Sequence, residues 1–159
     1  MDSAYVLAIW LHTVAFVIAW GYYGVLGRIV LPALERSLDG AALGTALVGV
    51  ERRALPLVLV SLVLFTLTGT YLLVIDPDYA GLGDFFDSTW TTLMLVKHLL
   101  VVAFVGLGVV VDRLVRRVAA ATTDDDRRAA IRRLARTAEG TMGLGAVIAL
   151  LTAAAQVNG

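Results

Sequence analysis

Four long apolar runs separated by charged connections set the plan of this chain. The first is uncharged from Ser3 to Gly27 and continues to Leu34. The second runs from Ala54 to Ile75, the third from Ser88 to Val111, and the fourth from Gly140 to the C-terminus. Each reaches the roughly 20 residues that cross the hydrocarbon core of a bilayer. Lipid offers the backbone no hydrogen-bond partner, so a spanning segment is a helix or part of a closed barrel. The two-residue alternation of a barrel strand is absent, which leaves helices. The pattern predicts helices over roughly 3–36, 54–76, 87–118 and 124–157, forming one transmembrane domain over 1–159. The fold class is therefore all-α, an integral membrane four-helix bundle. Asp39-Gly40 ends the first helical region, and Ala41 to Val50 either lies at the interface or extends the second helix. Pro56 is tolerable near a helix start. Thr122 to Asp126 has the character of an N-cap with acids on the positive end of a helix dipole.

Composition agrees with this pattern. Hydrophobic residues make up 59% of the chain and mean hydropathy is +0.84, above the range of soluble domains. The absence of cysteine excludes disulfides, thiolate nucleophiles and thiolate metal ligands. The formal net charge of zero hides a segregation. Arg28, Arg36, Arg52 and Arg53 fall between the first two runs, and eight arginines from Arg113 to Arg136 between the last two. The middle connection holds acids alone: Asp76, Asp78, Asp84 and Asp87. The positive-inside rule then puts both arginine-rich connections in the cytoplasm and both termini outside, in a multi-pass protein of the cytoplasmic (inner) membrane. The N-terminus lacks a basic leader and its apolar run is too long for a signal peptide, so it reads as a retained span. The arginine run beside the fourth span reads as a solvated face near anionic lipid, not a nucleic-acid site.

Two histidines and one lysine stand out against this background. Lys97, the sole lysine, and His98 lie together inside the third run, and His12 lies inside the first. A charge inside a bilayer costs a few kcal/mol unless it is paired or faces a cavity. With a rise of 1.5 Å per residue, His12 and His98 sit at a similar depth, roughly 14–16 Å from the outer boundary. The first and third helices can face each other across a bundle diagonal, an arrangement that suits two ligands of one haem or one metal ion. Met94, one turn from His98, could complete a soft copper site. Plainer readings stand beside these: histidines that bond a neighbouring helix, and a methionine that fills space. Lys97 points about 100° away from His98, free to snorkel, to pair with a cofactor propionate or to lose its proton. Ser61, Thr66, Thr68, Thr70 and Tyr71 offer it hydrogen-bond partners. Gly21, Gly24 and Gly27 form a close-packing stripe, within the bundle or toward a homodimer.

Leu11-His12 followed by Trp20-Gly21 and Leu31-Pro32-Ala33-Leu34 resembles the opening helix of CopD-like (copper resistance protein D) membrane proteins. Thr66 to Leu72 resembles their second helix, and Thr91-Thr92-Leu93 through Val96-Lys97 to Asp112-Arg113 their third. The resemblance extends to HemJ-type protoporphyrinogen oxidases, which bind haem b. It implies that His12 and Lys97 match their functional histidine and lysine, with His98 additional. The leading expectation is a membrane haem b protein for electron transfer or porphyrin-linked redox chemistry, a haem-dependent oxidoreductase if it is an enzyme. In that reading His12 and His98 are ligands, and Lys97 holds a propionate or replaces one of them. The alternative is a CopD-type protein for copper binding or uptake through His12, Met94 and His98. A third is a structural subunit without a cofactor.

Overall fold

The computed structural model describes residues 3–76 and 88–158, and for residue 158 the backbone alone. The connection carrying Asp78, Asp84 and Asp87 lies outside these residues. Four helices, all long and apolar enough to cross a membrane, make up the fold: α1 (Ser3–Ser37), α2 (Gly40–Val74), α3 (Thr89–Ala120) and α4 (Asp124–Asn158). No strand occurs among the described residues.

Local chemistry explains where these helices bend and stop. Within α1 a π turn over Leu26–Val30 precedes the last segment, Leu31–Ser37, and Pro32 stands at the start of that segment. A proline ring crowds the carbonyl four residues back and donates no hydrogen bond. A wider turn relieves that crowding, and the Leu31 N–H donates to the Leu26 carbonyl, five residues back. After Ser37 the chain reverses within a few residues. Gly40 takes φ +53°, a left-handed conformation that costs a residue with a Cβ about 1–2 kcal/mol. At the start of α3, Ser88 and Thr91 form a reciprocal capping box with both bonds at 3.1 Å. Thr123 caps α4 by accepting the Asp126 N–H at 3.2 Å, and Asp124, Asp125 and Asp126 fill its first turn.

One boundary differs from the sequence expectation. The second helix begins at Gly40 rather than near Ala54, because Ala41 to Val50 extends it. Leu43, Gly44 and Leu47 of this extension are buried against the bundle, and that packing decides in favour of helix. Its 35 residues give α2 a length of about 52 Å, more than the ~30 Å hydrocarbon core. The extension therefore projects beyond it.

α1 packs against α2 and α4, and α3 packs against the same two helices, so α1 and α3 are diagonal partners. Leu26, Leu31, Leu47, Val111, Val115, Val118 and Leu134 are almost fully buried, and all lie in the arginine-bearing half. In that half the acid Glu51 is also buried, near the Arg116 guanidinium, which binds Asp112 at 2.8 Å. Leu67, Val102 and Leu150 point outward with more than half of their surface exposed, as suits a helix face against lipid. Since lipid is as apolar as leucine, close packing and hydrogen bonds must hold the helices together. Trp20 Nε1–H donates to the Met142 carbonyl at 2.8 Å, tying α1 to α4. The glycine stripe serves the same purpose. A Cβ on Gly24 would lie 3.2 Å from Met142 Sδ, and one on Gly27 would lie 3.1 Å from Ala138 Cβ. Gly21 alone of the three meets nothing nearby. The Gly21/Gly24/Gly27 face is thus taken up mainly inside the bundle, and the homodimer reading of this stripe loses its footing.

Candidate functional site

The half of the bundle away from the arginines is looser. A cavity of about 250 Å³ opens there between all four helices. Phe65 lines it, and an aromatic cluster builds on Phe65 toward the packed half. Phe16 stands 5.6 Å from Phe65 and 6.4 Å from Phe104, and Tyr23 meets Phe104 edge-on at 5.4 Å. These rings bridge the α1–α3 diagonal, with Phe16 one helical turn beyond His12. The cavity walls include His12, Met94, Lys97 and His98.

α2 holds His12 from one side. The imidazole stacks on Phe65 with ring centroids 4.2 Å apart and planes 20° from parallel. His12 Nδ1 lies 3.0 Å from the Phe65 carbonyl and 3.1 Å from Thr68 Oγ1. A carbonyl only accepts, and the Thr68 hydroxyl already donates to Leu64 O at 2.6 Å. The proton of neutral His12 therefore belongs on Nδ1, and the lone pair on Nε2. Gly69 makes the arrangement fit, because a Cβ there would lie 2.8 Å from His12 Cε1.

His98 reaches the same tautomer by a different route. Its Nδ1 donates to the Met94 carbonyl one turn back, at 2.6 Å, leaving Nε2 as the free acceptor. His98 is exposed and stands at the cavity rim, whereas Met94 and Lys97 are half-buried. The face of α3 that carries Lys97 is the buried one, with Trp90 and Phe104. The His98 face runs on to Val102 and Val105, which are exposed. Although about 100° apart around the helix, both side chains border the cavity. The charge of Lys97 is attracted to Asp76, just past the end of α2.

Sequence reading singled out the four polar or sulfur-bearing side chains but missed the support for one of them. Thr68 was legible as a hydrogen-bond donor or acceptor, yet its use by His12 depends on the packing of α2 on α1. Phe65 and Gly69 carried no signal beyond membership of an apolar helix. Thr152 and Gln156 of α4 also line the cavity, and little in the sequence marked them. Among the described residues no three His, Cys, Asp or Glu side chains gather into a metal-binding group.

A family model described as copper resistance protein D matches residues 48–155, more than half of the chain. The matched stretch contains Gly69, Met94, Lys97 and His98, and His12 precedes it. Neither the curated proteins nor the solved structures give a match.

Proposed function

The chain belongs to the copper resistance protein D family, and on that premise we propose that the cavity receives copper, as cargo, through His12, His98 and Met94. One observation carries the reading. Both histidines commit Nδ1 to oxygen atoms of helices, so both leave an Nε2 lone pair available at one cavity that Met94 also lines. Hydrogen-bonding the second ring nitrogen is how metal-ligating histidines are ordinarily fixed in tautomer and orientation. Two imidazoles and a thioether form a soft set that suits monovalent copper. The small number of donors suits an ion that must also leave.

The protein's own residues do three things in this scheme. Phe65, Thr68 and Gly69 hold the His12 ring in place. The Phe16–Phe65–Phe104 cluster stands between the cavity and the packed half and would hinder passage of an ion toward the other end. Lys97 places a positive charge beside the site and keeps a cation from binding too tightly. With the arginine-rich end in the cytoplasm, the cavity would face the extracytoplasmic side of the inner membrane.

Haem b, with His12, His98 and Lys97 around it, has less behind it. The family is described by copper, and 250 Å³ falls below the roughly 300–1,000 Å³ of pockets that enclose drug-sized ligands. Electron transfer and porphyrin-linked redox chemistry depend on that group. The test is titration of the purified protein with Cu(I) against a chromophoric chelator, with metal analysis and an absorption spectrum. We expect one copper per chain, no Soret band, and at least a tenfold loss of affinity in His12→Ala and in His98→Ala. A haem spectrum on purification would overturn the copper reading. Undiminished copper binding in the double variant would remove these residues from it. Binding of neither would leave a structural membrane subunit.

A further inference from the structure

At the opposite end of the bundle a second cleft lies between α3 and α4, with a volume of about 330 Å³. Arg117 stands on its α3 wall and Arg133 on its α4 wall. Both arginines are exposed. Two neighbouring arginines of this half are neutralised, Arg116 by Asp112 at 2.8 Å and Arg127 by Asp124 at 2.7 Å. Among the described residues Arg117 and Arg133 have no such partner. The remaining acid of the cleft, Asp126, takes the Thr123 hydroxyl at 2.7 Å as part of the α4 cap. Between the two guanidiniums the lining is apolar, with Leu114 and Ala130 buried and Ala121 half-buried.

We infer that this cleft is a binding site for an anionic phospholipid, its phosphodiester held between Arg117 and Arg133 and its glycerol end against the apolar lining. Two arginines and one carboxylate leave a single positive charge, which matches the single negative charge of a phosphodiester. The planar guanidinium fork suits phosphate oxygens. Basic pockets between helices at a membrane surface are a recurrent place for such headgroups. Free phosphate would use the arginines but not the apolar lining. A lipid uses both, and it is present at high local concentration wherever this chain spans a bilayer.

The test is thermal unfolding of the full chain in detergent, with phosphatidylglycerol, phosphatidylcholine or inorganic phosphate added. Phosphatidylglycerol should raise Tm by several degrees, since a ligand that binds only the folded state stabilises it. The other two additions should not. The rise should vanish in R117Q/R133Q and persist in R128Q/R132Q, whose altered side chains do not line the cleft. If R117Q/R133Q does not fold, R117K/R133K, which keeps the charge but loses the fork, should show a reduced rise. No rise with phosphatidylglycerol, an equal rise with phosphatidylcholine, or a rise retained in R117Q/R133Q and R117K/R133K would overturn the proposal. An equal rise with inorganic phosphate would make the cleft a free-anion site and overturn the lipid assignment. Loss of the rise in R128Q/R132Q would reduce it to the general field of the basic surface.

Discussion

His12 is held by three α2 residues at once: Phe65 beneath the ring, the Phe65 carbonyl and Thr68 hydroxyl at Nδ1, and Gly69 at the ring edge. Gly69→Ala would put a methyl group within 2.8 Å of Cε1, and the ring must swing away from its acceptors. Losing that support should weaken Cu(I) binding about tenfold, at the lower end of what removing a second layer of ligand support costs. Chelator competition measures this, and an unchanged affinity would mean that the α2 contacts do not hold a ligand. Lys97 works in the other direction. At an effective dielectric of about 20, two like unit charges ~4 Å apart repel by about 4 kcal/mol, and the repulsion falls with the inverse of their distance. Lys97→Met should therefore bind copper more tightly, by roughly tenfold or more. Were the cavity to hold an anionic propionate instead, the same substitution should weaken ligand retention, so the sign of the change discriminates between the two.

Between α2 and α3 the helices meet backbone to backbone. A Cβ on Gly44 would lie 2.7 Å from Ala119 Cα, and backbone cannot rotate away as a side chain can. Gly44→Ala should force the helices apart and cost about 1–3 kcal/mol, read as a fall in Tm. Copper affinity should change little, because Gly44 lies in the arginine-bearing half and the cavity at the other end. A matching loss of copper binding would show that the two halves are mechanically coupled. The capping box of α3 has a similarly local task, since it satisfies two N-terminal amide groups next to the cavity wall that carries Trp90.

Across the whole molecule, one half is close-packed and the other holds a cavity, with an aromatic cluster on its packed side. On the proposed copper reading, an ion passing through the protein would have to cross the Phe16–Phe65–Phe104 cluster, and this arrangement would be a receiving state. The side of the membrane that the cavity faces is a proposal drawn from the arginine asymmetry. Gly81→Cys should react with an impermeant thiol reagent in intact cells, and Ala121→Cys should react after lysis alone. The reverse pattern would turn the cavity toward the cytoplasm and change the proposed role from taking up copper to releasing it.

Much of the architecture was readable from the chain before any folding. Four apolar runs of membrane length, the cap signal of Thr122 to Asp126 and the isolated Lys97, His98 and His12 are signals carried by neighbouring residues, and in lipid such signals are strong. A lone charge in twenty apolar positions is conspicuous wherever the helix ends up. The start of α2 at Gly40 was not readable, since Ala41 to Val50 is only mildly apolar and becomes helix through what Leu43, Gly44 and Leu47 touch. The partner of the Gly24–Gly27 stripe, the cradle of Phe65, Thr68 and Gly69 around His12, and the sharing of one cavity by Lys97 and His98 were likewise undecided. Each depends on how a helix is rotated and which neighbour it faces. In a chain whose helices are apolar nearly all round, hydrophobic periodicity does not specify that rotation. Packing across the bundle does.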